Sequence, residues 1–162
     1  MSNASARRFR TKRRIVLTGS MGVYPVLLDY ARILNLHGIH TVVPDPEEEV
    51  IQQLSLFDFE SFKRRVSFAY LRKIRDPRTY GILAINVDRH GILNYIGPNT
   101  FAEIAVAFAQ SKKIYLLQGM PEAYSDELSA WRVVSLRGKL DRLIEEFRND
   151  CMIEDAQLGF FD

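Results

Sequence analysis

Short continuous apolar runs alternate with longer amphipathic segments along this chain. Continuous apolar runs are typical of strands buried on both faces of a parallel sheet, and apolar residues spaced by three or four indicate helices packed on that sheet. The pattern predicts strands over Arg14–Thr18, Ile39–Val43, Ile82–Val87, Ile114–Leu117 and Val133–Leu136. It predicts a helix from Tyr24 or Pro25 to Leu36 and further helices over Phe59–Ile74, Thr100–Gln110, Pro121–Ala130 and Lys139–Phe147, with a weaker one over Glu47–Leu56.

The alternation of strands and helices predicts an α/β fold, namely a flavodoxin-like or Rossmann-like three-layer sandwich with a parallel sheet of about five strands. The length of 162 residues suits a single domain. We expect a disordered basic arm over residues 1–12, one domain over residues 13–150 and a C-terminal tail over residues 151–162. Pro25 suits the first turn of the first helix, and Pro44 closes the second strand.

The net charge of +2 conceals an uneven distribution of charge. Residues 1–14 hold six basic side chains and no acidic one, so the rest of the chain carries 16 basic and 20 acidic side chains. Blocks of like charge usually form solvated tails, and contact of this arm with nucleic acid is the alternative. Because the remainder has no comparable basic cluster in sequence, we do not expect a dedicated nucleic-acid-binding protein.

The cysteine content and the length of the apolar runs indicate the cellular compartment of the protein. Cys151 is the one cysteine, so no intrachain disulfide forms, which fits a reducing environment. No apolar run approaches the roughly 18 residues of a membrane span, and Ile15–Leu17 is too short for a signal segment. We therefore expect a cytoplasmic protein without a membrane partner. His37 and His40 lack acids or cysteines at metal-ligand spacing, so neither a metal nor a cofactor is expected.

The first functional candidate is the loop Gly19-Ser20-Met21-Gly22, which follows the first strand. Glycines let a ligand approach the backbone closely, and the start of the following helix favours an anion. The spacing is neither that of a P-loop nor that of GxGxxG. Gly19, Ser20 and Gly22 are therefore candidates for contacts with a sugar or a phosphate, and a plain strand-to-helix turn is the alternative.

The second candidate is a pair of carboxylates around the third loop. Asp88 directly follows the third strand, and Glu103 lies in the next predicted helix. Ligands of open α/β sheets bind at the carboxyl ends of the strands, and cleavage of a glycosidic bond uses one carboxylate as nucleophile. In the first helical turn, Glu103 is expected to stay ionised, because the helix dipole stabilises its charge. The alternative is a capping box, Thr100-Phe101-Ala102-Glu103, in which the side chain of Glu103 only bonds the helix start.

Other residues near these acids complete the candidate site. Gly97 shapes a turn that delivers Asn99 to the helix start, and Tyr95 can stack on a base or pack in the core. His90, next to Arg89, can pair with a phosphate or remain a solvated loop residue. Besides the first loop, the candidates for substrate binding are Tyr24, Asn86, His90, Tyr95, Gly97 and Asn99.

The segment from Asn86 to Leu117 resembles the signature of the nucleoside 2-deoxyribosyltransferase superfamily, which includes the deoxynucleoside monophosphate N-glycosidases. That signature is a strand-end acid, a glycine-containing loop, a Glu in the next helix followed by small residues, and a Lys before the next strand. The positions that match it are Asp88, Gly97, Glu103, Ala105, Ala107 and Lys113. The first strand with Thr18-Gly19-Ser20 also resembles the family's first motif.

The resemblance implies a flavodoxin-like fold and cleavage of an N-glycosidic bond in a nucleoside or a nucleoside 5′-monophosphate. It places the family's nucleophile at Glu103, its loop acid at Asp88 and the aromatic residue near its first loop at Tyr24. It also implies a homodimer or a larger homo-oligomer in which a neighbouring subunit completes each pocket. The tail Leu158–Phe161 is a candidate for that contribution.

One position departs from the family pattern. The family places an Asp that handles the base in the helix before the third strand, whereas residues 68–75, FAYLRKIR, carry no acid. Asp76 follows this helix, and Tyr70 is the nearest substitute within it. The leading hypothesis is an N-glycosidase or deoxyribosyltransferase with Glu103 as nucleophile. The other hypotheses are a nucleotide-binding module without catalysis and a structural protein in which Glu103 is only a cap.

Overall fold

The computed structural model describes residues 12–46 and 55–159. At its centre lies one sheet of five parallel strands in the order β2-β1-β3-β4-β5. The strands are β1 Arg14–Thr18, β2 His40–Val42, β3 Thr79–Ala84, β4 Lys113–Leu116 and β5 Val134–Ser135. This is the order of flavodoxin-like doubly wound sheets, in which the winding reverses between β1 and β3. The predicted α/β fold with a five-stranded parallel sheet is therefore confirmed.

Five helices cover the two faces of this sheet in the described part of the chain. They are α1 Tyr24–Leu36, α2 Leu56–Arg75, α3 Pro98–Ala109, α4 Ser125–Ala130 and α5 Asp141–Gly159. Short 3₁₀ turns at Met21–Val23 and Glu122–Tyr124 precede α1 and α4.

Two apolar cores fill the spaces between the sheet and its helices. On one face, α1 and α5 pack against Ile15 and Leu17 of β1. On the other face, α2, α3 and α4 contribute to the core that contains Val16. All three of these β1 side chains are fully buried, as expected for a parallel strand covered on both sides. This alternation of faces produces the three layers.

The predicted bounds of β1 agree with the structure residue for residue, and α1, predicted to begin at Tyr24 or Pro25, begins at Tyr24 and ends at Leu36 as predicted. Pro25 occupies the first turn of α1, where its missing N–H needs no partner. Gly38 follows the helix with φ of 78°, a left-handed conformation that glycine adopts without steric cost. The predicted strands β2 and β5 are each one residue too long at both ends, and β4 is displaced by one residue.

The third strand lies earlier than its apolar run predicts. It spans Thr79–Ala84, because Thr79 already pairs with Arg14 at the start of β1. The hydroxyl of Thr79 accepts a hydrogen bond from Arg14 Nε at 3.2 Å and donates to the carbonyl of Lys73 at 2.6 Å. Polar groups thus hold the start of β3 in place, so a prediction from apolar residues alone places this strand too late in the sequence.

The start of α2 and the end of α5 also differ from the predictions. The helix α2 begins at Leu56, before the predicted Phe59, because Ser55 caps it with a hydroxyl that accepts a hydrogen bond from the Asp58 N–H at 3.2 Å. The last helix continues to Gly159 instead of ending at Phe147. Contacts with the sheet hold this extension, because Asp150 accepts from the Tyr80 hydroxyl at 2.7 Å and Glu154 pairs with Arg13 at 3.2 Å.

Several predictions fall outside the described residues. These are the basic arm at residues 1–11, most of the weak helix over Glu47–Leu56, the side chain of Leu158 and the aromatic residues Phe160 and Phe161. Across residues 12–46 and 55–159, no helix combines the length and the apolar character needed to cross a membrane.

Candidate active site

A cavity of about 470 Å³ opens beside the carboxyl end of β1. The loops after β1 and β2, one face of α2 and the beginning of α3 form its walls. Open α/β sheets bind ligands at this edge, next to the point where the winding reverses between β1 and β3. The position of the cavity therefore follows from the strand order.

Glu103 lines this cavity from the second turn of α3. The helix begins at Pro98 with Gly97 at the N-cap, and no side chain caps it. Thr100 lies inside the helix and is buried, so the predicted capping box is wrong. The reason is local: proline fits the first helical position, where its missing N–H needs no partner, so the helix begins before Thr100.

The carboxylate of Glu103 accepts a hydrogen bond from the hydroxyl of Thr18, the last residue of β1. Burial raises the pKa of Glu103 to about 8. The expectation that the helix dipole keeps this group ionised is therefore wrong, because Glu103 lies beyond the first turn and loss of hydration dominates. At pH 7 most of the free protein carries a neutral Glu103.

Tyr70 of α2 is a second polar residue in the cavity wall, and it is buried. Its hydroxyl donates to the backbone carbonyl of Leu17. Burial, together with the negative charges of Glu103 and Asp45, raises the pKa of Tyr70 far above its ordinary value. Tyr70 thus stays neutral with its proton committed to the backbone, which makes it a poor proton donor to a ligand.

The rest of the α2 wall combines apolar residues with the polar side chains of Lys63, Ser67 and Lys73. Phe59, Phe62 and Val66 line the cavity from successive turns of this helix, and each is partly buried. Asp45, in the loop after β2, lines the same cavity and is exposed. Among the described lining residues, Asp45 and Glu103 supply the carboxylates. Apolar walls with a few placed polar groups are typical of small-molecule sites.

The structure brings together part of the predicted site. The two predicted acids do not lie together in the cavity, because Glu103 lines it and Asp88 does not. The predicted residues that line the cavity are Gly19, Ser20, Tyr95, Gly97, Asn99 and Glu103.

Asp88 and Asn86 make contacts within the loops instead. Asp88 is exposed, and its Oδ1 accepts a hydrogen bond from the Asn94 N–H at 2.8 Å. Asn86 is fully buried, where its amide nitrogen donates to the Gly119 carbonyl at 2.7 Å and its amide oxygen accepts from the Gln118 N–H at 2.8 Å. Asn86 therefore ties the loop after β3 to the loop after β4.

The three other predicted contacts also lie outside the cavity lining. The hydroxyl of Tyr24 donates to the Pro44 carbonyl at 3.0 Å, which links the start of α1 to the loop after β2. His90 packs edge-to-face on Tyr95 with ring centroids 5.2 Å apart. Gly22 lies against the guanidinium of Arg89, so closely that a Cβ there would overlap it.

Sequence reasoning missed Thr18 and Asp45 as site residues. Both lie at or just beyond the carboxyl end of a strand. Thr18 is the last residue of β1, and Asp45 follows the end of β2 by three residues. Position at a strand end is the signal that identifies them, since such residues reach the ligand-binding edge of an open sheet.

No protein-family model matches the chain, and no curated protein matches it in sequence. The resemblance to the nucleoside 2-deoxyribosyltransferase superfamily therefore stays a prediction. Within the described ranges, no group of three or more His, Cys, Asp or Glu side chains is arranged to hold a metal ion.

Proposed function

We propose that this protein cleaves or transfers the N-glycosidic bond of a nucleoside or a nucleoside 5′-monophosphate, with Glu103 as the nucleophile. The supporting observation is a Glu103 carboxylate that lines a cavity and is hydrogen-bonded to Thr18 at the ligand-binding edge of the sheet. The volume of about 470 Å³ lies within the range of about 300–1,000 Å³ typical of small-molecule sites.

The proposed reaction proceeds through a covalent intermediate. An oxygen of Glu103 attacks the anomeric carbon C1′, the bond from C1′ to the base nitrogen breaks, and the base leaves with the bonding electrons and takes up a proton from water. The sugar then forms an ester with Glu103. Water or a second base displaces the carboxylate from C1′, which restores Glu103 and completes hydrolysis or transfer.

The nucleophile must be ionised when it attacks. Because burial raises the pKa of Glu103 to about 8, the reactive form is a minority at pH 7 and predominates above pH 8. The hydrogen bond from Thr18 stabilises that charged form, and positive charge that develops on the sugar does so as well. A desolvated carboxylate is also a stronger nucleophile than a hydrated one, which offsets part of its scarcity.

The wall formed by α2 and the wall formed by the loop after β2 suit the base of the substrate. Phe59 and Phe62 provide apolar surface for a planar ring. We assign contact with the polar edge of the base to Asp45, because Tyr70 has its proton committed to Leu17. In this arrangement Asp45 takes the role of the Asp that the family pattern places in the helix before the third strand.

Asp88 is predicted to bind a sugar hydroxyl or assist the base. Its bond to Asn94 favours a different contribution, in which Asp88 holds the loop that carries Tyr95 and Gly97 into the cavity wall. We propose this supporting role for Asp88.

The resemblance implies a homo-oligomer, and we retain that proposal. Three apolar side chains on α2 support it, since Leu56, Phe57 and Phe68 are 78%, 76% and 55% exposed. Sedimentation velocity tests the proposal directly: a dimer or larger species is expected, and a monomer at micromolar concentration would contradict it.

The function is tested by incubating the wild-type protein and Glu103→Gln with a panel of nucleosides and nucleoside 5′-monophosphates, in ribose and deoxyribose form. Chromatographic detection of free base is the readout. We expect release of base from at least one panel member by the wild type and none by the variant. Equal release by the two proteins, or none by a folded wild type, would contradict the proposal.

One observation favours a second candidate, a nucleotide-binding module without catalysis. A Glu103 that is neutral at pH 7 can donate a hydrogen bond to a ligand, and no described acid on α2 lines the cavity. Glutamine also donates and accepts hydrogen bonds, so this candidate predicts saturable binding, no base release and unchanged affinity in Glu103→Gln.

A further inference from the structure

One stretch of α2 is strongly basic. Residues 61–75 carry six basic side chains and no acidic one, whereas the rest of residues 15–162 carries 10 basic and 20 acidic side chains. The total charge conceals this segment, because the excess of acids elsewhere in the chain offsets it. The expectation that the chain has no basic cluster comparable to residues 1–14 is therefore wrong.

The outward face of α2 gathers four arginines around one aromatic ring. Arg64, Phe68, Arg72 and Arg75 follow one another at intervals of four, four and three residues, which places them on one face of the helix. Arg65 lies at the edge of that face. All five side chains are exposed, and none of them lines the cavity, which other residues of α2 border. We call these five residues the arginine face.

The charges of the arginine face have no counterpart in the described part of the chain. Five ion pairs occur among residues 12–46 and 55–159, and none of them includes an arginine of this face. Asp76, which follows the helix, is paired with Arg14 and Arg78 instead. Like charges held on one surface repel one another, so an anionic partner binds there favourably.

The basic N-terminal segment joins the domain at the end of the same helix. Arg13 Nη1 donates to the Pro77 carbonyl at 3.1 Å, and Arg14 Nη2 donates to the Lys73 carbonyl at 3.1 Å. Residues 1–11, which include three further arginines and no acid, are therefore tethered at the carboxyl end of α2. The arginine face and the N-terminal segment thus place positive charge at one side of the domain.

Arg72 and Phe68 form a planar platform on this face. The Arg72 Cζ atom lies over the Phe68 ring, 4.5 Å from its centroid, and Phe68 is 55% exposed. Unpaired bases of nucleic acids stack on aromatic rings and on guanidinium planes, and arginine side chains bind the adjoining phosphates. A lipid surface matches less well, because an interfacial helix needs a continuous apolar face, and most apolar residues of α2 face the sheet and the cavity.

We propose that the arginine face is a docking surface for single-stranded nucleic acid. Its four arginines bind phosphates, and a base stacks on the platform of Arg72 and Phe68. The helix rises about 17 Å from Arg64 to Arg75, so the arginines contact several phosphates of one strand. This inference does not depend on the proposed reaction in the cavity.

The arginine face is not assigned to self-association. Repulsion between like charges keeps the same face of a second copy away from it. The self-association proposed above therefore falls to Leu56 and Phe57 at the start of α2, where Phe57 lies about 17 Å from Phe68 along the helix axis.

The role of the charges is tested by fluorescence anisotropy, in which the full-length protein is titrated into labelled oligothymidine or oligouridine strands at several NaCl concentrations. One variant replaces all four arginines of the arginine face by glutamine. The matched control replaces four exposed arginines elsewhere by glutamine, namely Arg32, Arg132, Arg137 and Arg148.

The slope of log affinity against log salt concentration is the readout. Each phosphate contact with a single strand contributes about 0.7 to this slope, so we expect its magnitude to fall by about 2.8 in the arginine-face variant and to stay unchanged in the control. An unchanged slope in the arginine-face variant, or no binding of either strand by the wild type at low salt, would overturn the proposal.

Phe68→Leu tests the platform without changing any charge. We expect the affinity for the single strand to fall at least about fivefold, the loss expected for one stacked base, with an unchanged salt slope. Phe108→Leu is the control, because it removes a ring that is 45% exposed on α3, and it should bind like the wild type. Wild-type affinity in Phe68→Leu would overturn the proposed stacking.

Two further probes separate a single strand from other polyanionic partners. They are a DNA duplex of the same length and vesicles that contain phosphatidylserine. We expect the single strand to bind at least about fivefold more tightly than the duplex, because paired bases cannot stack on the platform. Equal or tighter binding of the duplex, or binding of the vesicles without binding of the strand, would overturn the proposal.

Discussion

The hydroxyl of Thr18 donates a hydrogen bond to the carboxylate of Glu103, across 85 residues of sequence. This contact joins the end of β1 to the second turn of α3 at the wall of the cavity. Thr18 has no exposed surface, so its hydroxyl has a fixed position. The buried threonine thus orients the carboxylate that we propose as nucleophile and stabilises its charged form.

Removal of the Thr18 hydroxyl should therefore impair catalysis more than folding. In Thr18→Val, which keeps the shape of the side chain, we expect kcat to fall by about tenfold, the effect of one lost hydrogen bond to a charged group. The midpoint of the pH–rate profile should also move to higher pH, because the ionised carboxylate loses a donor. Thr18→Ser keeps the hydroxyl and should behave like the wild type. An unchanged pH profile in Thr18→Val would show that the contact is only structural.

The rate of base release should rise with pH. The reactive form of Glu103 is the ionised one, and burial raises the pKa of this group to about 8. We expect kcat/KM to increase about tenfold per pH unit below that value and to level off above it. Initial rates between pH 5.5 and 9.5 provide the measurement. A rate that falls through the same range would indicate that Glu103 acts in its protonated form.

Glu103 should also make stability depend on pH. The folded protein retains a proton on Glu103 up to about pH 8, whereas the unfolded chain releases it near the ordinary value of 4.5, so rising pH favours unfolding between these two values. Relative to Glu103→Gln, the wild type should lose up to about 1.4 kcal/mol of unfolding free energy per pH unit in this window. Urea unfolding of both proteins at pH 5, 6.5, 8 and 9 tests this. A constant difference between the two proteins would mean that Glu103 has an ordinary pKa.

The contribution of Asp88 can be separated into charge and hydrogen bonding. Asp88→Asn keeps an oxygen that can accept from the Asn94 N–H, whereas Asp88→Ala removes it. If Asp88 holds the loop, the first variant should retain activity within a few fold and the second should lose about tenfold or more. Similar large losses in both variants would assign a direct role to the charge of Asp88.

The fold could be predicted because its signals are local. Three consecutive apolar residues, Ile15, Val16 and Leu17, predict a strand covered on both faces, and all three are fully buried in β1, while Pro25 marks the first turn of α1. The strand order then places a ligand site at the carboxyl end of β1, which is where the cavity lies. Element type follows from the hydrophobic pattern, and the position of the site follows from the strand order that the structure shows.

Most details of the site could not be predicted, because they depend on contacts between distant residues, whereas the early start of α3 has a local cause in Pro98. The motif from Thr100 to Glu103 has the spacing of a capping box, yet Pro98 starts the helix earlier and frees Glu103 to meet Thr18. The high pKa of Glu103 comes from burial, which no local spacing reveals. The contact of Arg89 with Ser20 likewise spans 69 residues.

The central claim, that Glu103 forms a bond to the sugar, is tested most directly by trapping the intermediate. The protein is incubated with the 2′-fluoro analogue of whichever panel compound releases its base, since fluorine at that position disfavours the oxocarbenium-like transition state and slows breakdown of the ester. Peptide mass spectrometry should then find the fluorinated sugar on the peptide that contains Glu103, and no adduct in Glu103→Gln. Release of base by the wild type without an adduct, or an adduct on another side chain, would contradict the account.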